Sequence, residues 1–432
     1  MADFFSFNEL ISFRAAEDGN RVFIYEPGEE GGVRPLSFQD LKSATEKIAE
    51  ALGMIGFLPG CRILTLFQNG IASSAAFLAI VAAGGIAVPV NPAGAPRELE
   101  FLIENSGACF ILTGGSQREE LRQKIPEAEW YRETVYSIHI FKVKKPVAES
   151  PQADLALILY TSGTTGVPKG VMLTTANLFA ECGNIRDAHE LTKNDKVLCL
   201  LPLNHINGLV VTLLTPLFAG FSVVMPPKFS AGKFWNWVCR EQVTWFSAVP
   251  TIYSILLSRE TPPPAAYPLL RFARSASAAL SEAVLHEFER RTGVPLIESY
   301  GITEGGSQIT SNPLPPRTRK ALSVGIPFGN EIQVVLKDGA PAPVGATGEV
   351  RVRGANIAKA YYRNKEAGAE SFKDGWFFTG DLGRMDEDGY LFLTGRLKEL
   401  INRAGEMISP REIDEVLYRI PEIELAAAVG VP

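Results

Sequence analysis

Histidine and cysteine are scarce in this chain of 432 residues, and no long stretch carries charge of one sign. The 5 cysteines, Cys61, Cys109, Cys182, Cys199 and Cys239, are scattered and lack metal-ligand spacing. That excludes a cysteine-held metal centre and reads as reduced, core-packed residues of a cytoplasmic protein. A formal charge of −6 offers no basic field, which argues against nucleic acid as a partner. The short basic run Lys142, Lys144 and Lys145 reads as a solvated loop. The opening Met1-Ala2-Asp3-Phe4-Phe5-Ser6 has no basic segment leading into an apolar one, so no secretory signal is expected. Residues 71–90 are the one long apolar run. Ser73, Ser74, the Gly84-Gly85 pair and Pro89 divide it into a buried helix and a short strand, not a membrane span. What is present, 46% hydrophobic and 21% charged residues, suffices for a large core in one multi-lobed domain or two to three smaller ones.

Apolar periodicity divides the chain into alternating elements. Leu41, Ala44, Ile48, Ala51 and Leu52 recur at helical spacing within 38–54, and 61–67 reads as a buried strand after Pro59-Gly60. Helix, strand, helix and strand then follow over 75–83, 86–90, 96–105 and 108–113, the cadence of a parallel sheet wrapped by helices. Residues 115–150 are polar and irregular, with a helix expected around 119–124. A second alternation joins helices at 175–188, 208–219, 231–241 and 250–259 to strands at 196–200, 222–225 and 244–248. After Pro313-Leu314-Pro315-Pro316 the pattern shifts to short β segments, among them 331–336, 348–353 and 390–394, as in a small barrel-like lobe. The expected fold class is α/β, with two doubly wound sheet subdomains and a β lobe.

Behind the apolar strand 154–159, Leu159-Tyr160-Thr161-Ser162-Gly163-Thr164-Thr165-Gly166-Val167-Pro168-Lys169-Gly170 gathers glycines, hydroxyls and one lysine. Glycine permits tight turns, hydroxyls donate hydrogen bonds and lysine adds a mobile charge, which together suit a loop that holds phosphate. Pro168 and Gly170 on either side of Lys169 break the G-x-x-x-x-G-K-[ST] pattern of the P-loop. A glycine-rich surface turn is the other reading. Glu298-Ser299-Tyr300-Gly301-Ile302-Thr303-Glu304 follows a strand around 295–297, where α/β proteins place ligands, and combines an aromatic plate, a hydroxyl and a carboxylate. Thr379-Gly380-Asp381 and Gly395-Arg396-Leu397-Lys398 bracket a hairpin turning at Asp386-Glu387-Asp388-Gly389, which would bring Asp381 to Arg396. The bland alternative is a surface ion pair of little energetic weight.

Thr161 to Gly170 match in full the phosphate loop of the adenylate-forming superfamily, [ST]-S-G-[ST]-T-G-x-P-K-G, and the resemblance extends over nearly the whole chain. Acyl-CoA synthetases, nonribosomal adenylation domains and luciferases make up that superfamily. The resemblance implies ATP and AMP, Mg²⁺ and CoA as cofactors, with Thr161, Ser162, Gly163, Thr164, Thr165, Gly166 and Lys169 around the phosphates. It implies that Tyr300, beside Gly301, stacks on adenine, that Thr303 donates to the α-phosphate and that Glu304 orients Mg²⁺. Asp381 would accept from the ribose hydroxyls while Arg396 donates to the same sugar. Ser277, Ala278 and Ala279 match a small-residue loop lining the adenine and acyl pocket. His205, in Leu203-Asn204-His205-Ile206-Asn207-Gly208, matches an H-x-x-G position beside the substrate carboxylate; a buried structural histidine is the alternative. His139, His189 and His286 are expected to be structural or surface residues.

One branch is matched further. Pro226-Pro227-Lys228-Phe229-Ser230, Thr244-Trp245-Phe246-Ser247-Ala248-Val249-Pro250-Thr251, Ser311-Asn312-Pro313-Leu314-Pro315 and Lys398-Glu399-Leu400-Ile401-Asn402-Arg403 resemble the oxalyl-CoA synthetases of plants and fungi and their bacterial relatives. That implies a small, polar carboxylic acid as substrate. Ser307 stands where the branch has a pocket histidine, and losing one buried donor to a carboxylate costs about 1.5–3 kcal/mol, which argues against oxalate itself. Lys398 matches the family's hinge. The implied division is an AMP-binding domain over 1–396, its β lobe beginning near 313, and the start of a C-terminal lid over 397–432. The family's adenylation lysine lies on a later loop of that lid, so slow or absent turnover is expected of these residues alone. Two alternatives stay open: loading of a carrier-protein phosphopantetheine in place of CoA, and a lidless module that binds adenylate.

Overall fold

The computed structural model describes residues 4–28, 31–143, 154–161, 168–403, 406–417 and 428–430. Four apolar segments, Arg62–Leu66, Ile86–Val90, Phe110–Gly114 and Leu155–Thr161, pair in parallel as the centre of a first sheet. Lys169–Thr174 turns back antiparallel to Leu155–Thr161, and Tyr361–Tyr362 pairs outside it. At the opposite edge the structure corrects the expectation of irregular chain over 115–150. Ile138–Val143 and Ala128–Thr134 form an antiparallel pair there, beyond a helix at Arg118–Lys124. The exposed outer strand is polar, with burial too weak to leave an apolar alternation in the sequence.

A second sheet runs Val22–Pro27, Ser222–Val224, Lys196–Cys199, Trp245–Ala248, Phe272–Ser275 and Leu296–Tyr300, all parallel. Val33–Ser37 edges it on one side, Thr310–Ser311 and Ile326–Pro327 on the other, all antiparallel. Successive residues of a strand point to opposite faces, so each strand feeds two cores. Ile63, Leu112 and Leu157 of the first sheet share one core with Val197, Val223 and Trp245 of the second. Their neighbours Leu64, Ile111 and Ile158, and Leu198, Val224 and Phe246, pack into separate outer cores. Helix Ile71–Ala82, buried along most of its length, belongs to the shared core. It begins at Ile71, just after its capping residue Gly70 and earlier than expected. Ser73 and Ser74 lie inside it and donate their hydroxyl protons to the Gly70 carbonyl at 2.9 Å, so they do not break it. Among the described residues no helix is long and apolar enough to cross a membrane.

The expected β lobe is an antiparallel sheet of Asn330–Val335, Gly348–Gly354, Trp376–Met385, Phe372–Lys373 and Leu391–Arg396. Its described strands pair in an open order, not a closed ring. Residues 208–219, expected as one regular helix, instead begin as a π-helix over Asn207–Leu214 before Thr215–Ala219. The Thr215 amide donates to the Val210 carbonyl five residues back. A Cβ on Gly208 would lie 2.3 Å from the Pro202 carbonyl oxygen, so the entry to this helix demands glycine. Gly183, within helix Thr175–Ala188, contrasts with it: a Cβ there meets nothing within 4 Å. Gly183→Ala is expected to stabilise the chain by roughly 0.5–1 kcal/mol, read as a higher denaturant midpoint at unchanged slope.

Candidate active site

Parallel strands leave their carboxyl ends on one edge, where following loops converge. At that edge of the second sheet, Tyr300 ends its strand with its hydroxyl donating to Asp381 Oδ2. Asp381 is held in turn by the hairpin read from the sequence. Strands Trp376–Met385 and Leu391–Arg396 place Asp381 opposite Arg396, whose Nε donates to Oδ1 at 2.7 Å. The hairpin turn is pinned by Lys320, whose Nζ lies 2.6 Å from both Asp386 and Asp388. Asp381 is only 4% exposed, so this is no surface ion pair. Burial and the Asp381 charge push the Tyr300 hydroxyl well above its usual pKa, so it remains a donor.

Glu304 lies in the helical turn Thr303–Gly305 that follows Tyr300, and its Oε1 accepts from the Tyr361 hydroxyl at 2.6 Å. Burial raises its pKa, while the Tyr361 hydrogen bond and the charges of Lys169 and Arg396 pull the other way. Lys169 sits at the start of its strand with Nζ 4.9 Å from the centre of the Tyr361 ring. Tyr361 thus joins the two sheets at the site, and sequence reasoning missed it. Its strand has two residues, too few to show a period. Thr161 ends the preceding strand, its Oγ1 3.4 Å from the Lys169 carbonyl oxygen. Ser162, Gly163, Thr164, Thr165 and Gly166 lie outside the described residues.

Ser277, Ala278 and Ala279 form an exposed shelf after strand Phe272–Ser275, with Ser277 in left-handed backbone (φ +73°). Asn207 Nδ2 donates to Ser277 Oγ at 3.2 Å. Ser307 is buried, also with positive φ (+142°), and its carbonyl presses against Gly301. His205 lies at the surface just before the π-helix, not in the core, and desolvation lowers its pKa. Lys398 is exposed in the turn Leu397–Glu399. Among the described residues no hydrogen bond or ion pair ties the side chains of His205, Thr303 or Lys398 to the Tyr300, Asp381, Arg396, Glu304 and Lys169 cluster.

Beneath the shelf runs a buried polar network with no linear signature, since Glu181 and the capping residue His189 of one helix meet Gln308 and Asn356 from far along the chain. Glu181 accepts from the Gln308 amide at 2.5 Å and from Asn356 Nδ2 at 2.8 Å, and Gln308 Oε1 meets His189 Nε2 at 2.9 Å. His189 is therefore structural. Burial pushes Glu181 up to about 8 and His189 down to about 3. In the folded chain Glu181 holds its proton where the unfolded carboxyl, ordinarily 4.5, has lost it, so stability falls as pH rises between those values. His189 acts oppositely between about 3 and its ordinary 6.5. The two slopes oppose each other from about 4.5 to 6.5, and Glu181 acts alone from about 6.5 to 8. Glu181→Gln is expected to remove that fall, so that wild type and variant diverge by on the order of 1 kcal/mol per pH unit across it in denaturant unfolding.

Residues 12–362 match the family model of the AMP-binding enzymes. The chain is 39% identical to the sulfoacetate–CoA ligase of Cupriavidus necator, over 98% of this chain and 84% of that protein. It is 38% identical to the oxalate–CoA ligase of Arabidopsis thaliana, over 90% and 79%. The ATP-bound crystal structure of MatB from Rhodopseudomonas palustris superposes with a TM-score of 0.86 at 28% identity, over 99% of this chain and 86% of that one. The chain belongs to the AMP-binding, adenylate-forming enzymes and is of the acyl-CoA synthetase kind, with ATP and AMP as its nucleotides.

Proposed function

We propose that this enzyme activates a short, polar carboxylic acid on ATP and passes the acyl group to CoA. The observation that carries this reading is the convergence of Tyr300, Asp381 and Arg396 with Glu304, Lys169 and Tyr361 at one edge of the sheets. Asp381 already takes one donor on each oxygen, and each oxygen keeps a lone pair for a ribose hydroxyl. Tyr300 and Gly301 face the base, Thr161 and the loop to Gly166 with Lys169 hold the phosphates, and Thr303 donates to the α-phosphate. A carboxylate oxygen of the acid attacks the α-phosphorus, the bond to the bridging oxygen breaks, and pyrophosphate leaves. The CoA thiol then attacks the acyl carbon, losing its proton, and AMP departs with the electron pair of the broken acyl–oxygen bond. Positioning and charge stabilisation supply most of the catalysis.

Glu304 suits Mg²⁺: its carboxylate is a hard oxygen ligand with Oε1 braced by Tyr361. When bound, the ion would neutralise charge developing on the phosphates. The two ligase relatives, of sulfoacetate and of oxalate, favour an acid with a second acidic group and CoA over a carrier protein. Lys398, next after the Arg396 strand but one, marks the hinge between 1–396 and the lid. A thermal-shift screen of AMP, then of ATP with Mg²⁺ and small acids, tests the assignment. A ligand at one hundred times its Kd stabilises by about 2.7 kcal/mol, so AMP is expected to raise the Tm by several degrees. No shift with saturating AMP would sink it.

A further inference from the structure

We propose that Arg274 and Asn207, both buried, are positioning residues that set the acid specificity of the cleft by turning the Ser277 hydroxyl outward as a donor. The inference rests on the acid-activating reading of the cleft and concerns residues that the sequence did not single out. Arg274 is the last residue but one of the strand Phe272–Ser275 and is 1% exposed. Its Nη1 donates to Ser247 Oγ at 2.9 Å and to Asn207 Oδ1 at 3.3 Å, and its Nε donates to Gln308 Oε1 at 3.2 Å. A guanidinium only donates, so the Asn207 atom that faces it has to be the carbonyl oxygen. Ser247 Oγ, which receives from Arg274, gives its own proton to the same oxygen at 3.2 Å.

With its oxygen fixed inward, Asn207 presents its NH2 to Ser277 Oγ at 3.2 Å. Ser277 accepts there, which leaves its single proton for a partner on the exposed side of the shelf. The left-handed backbone of Ser277 is a conformation that surrounding structure has to hold, and the Asn207 bond is part of that hold. The chain from cation to amide to hydroxyl polarises the outward proton, so it favours an oxygen carrying negative charge over a methyl group. A site built to hydrogen-bond such an oxygen rejects the analogue that lacks it.

Asn207→Asp tests this directly. Aspartate keeps the shape and the Arg274 contact but can only accept, so Ser277 would turn its proton inward and face the cleft as an acceptor. Malonate, sulfoacetate and oxalate, with acetate and propionate as single-acid controls, are titrated by calorimetry into the full chain saturated with a non-hydrolysable ATP analogue and Mg²⁺. Wild type is expected to bind at least one two-acid probe at least about tenfold tighter than propionate, and Asn207→Asp to cut that ratio to within about threefold at unchanged nucleotide affinity. The proposal is overturned if wild type does not discriminate, if the ratio survives in Asn207→Asp, or if all acids weaken equally. If Asn207→Asp fails to fold, Ser277→Ala on the exposed shelf is expected to cut the same two-acid to propionate ratio to within about threefold, and survival of the ratio in that variant overturns the proposal. Failure of wild type to bind the nucleotide analogue would instead overturn the acid-activating reading, and this proposal with it.

Discussion

Gly301→Ala is expected to abolish nucleotide binding and to cost the fold more than about 4 kcal/mol, the range reached only through a specific structural conflict. A Cβ on Gly301 would lie 1.3 Å from the Ser307 carbonyl oxygen, 2.4 Å from its carbon and 2.9 Å from the Gln308 Cα. All three are backbone atoms, so no rotamer change relieves the overlap. The return chain is tied down on both sides of the contact. The Ile309 amide donates to the Tyr300 carbonyl at 2.8 Å, and the Gln308 amide is bound to Glu181. Moving it would strip Thr310–Ser311 from the sheet edge and shift Tyr300 away from Asp381. The check is the Tm of the purified variant together with AMP titration. An alanine variant that melts within about 2 °C of wild type and still binds AMP would contradict the packing described here.

Asp381→Asn is expected to weaken AMP binding on the order of 100-fold while leaving the fold nearly intact. Asparagine keeps the size but offers one accepting oxygen, which has to face Arg396 because its NH2 cannot. The NH2 then faces Tyr300, whose oxygen can accept from it, and the acceptor for one ribose hydroxyl is lost along with the negative charge. Hydrogen bonds to a charged group are worth about 1.5–3 kcal/mol each, and two are weakened. Stability suffers less. The Arg396 side chain is 51% exposed, so water solvates the guanidinium once its partner is neutral, and the asparagine oxygen still accepts from its Nε. Calorimetric titration of AMP with a denaturant curve of the unliganded variant separates the two effects. Equal AMP affinity in variant and wild type would remove Asp381 from the ribose site.

Much of the candidate site was legible because its residues sit in local patterns. The hairpin turn at 386–389 brings Asp381 back alongside the strand of Arg396, and a one-residue bulge at Leu382–Gly383 then sets the two opposite each other. Tyr300 ends a strand and Glu304 lies in the turn just after it. Tyr361, Asn207, Arg274 and Glu181 were not legible, since each acts through a partner far along the chain: Glu304, Ser277, Ser247 and Gln308. The polar outer pair at 128–143 escaped for a different reason, weak burial of its edge strand.

Composition and periodicity by themselves determined that this chain forms helices and strands in alternation around a large core, and the signature loops determined which chemistry to look for. Both are properties of neighbouring residues, written at spacings of two to eight positions. Only the tertiary structure decided that Tyr361 braces Glu304 beneath Lys169, and that a buried guanidinium stands behind the shelf at Ser277. Those arrangements depend on strands brought together from opposite ends of the chain, where a hydrogen-bonding group's partner is set by packing and leaves no periodic trace.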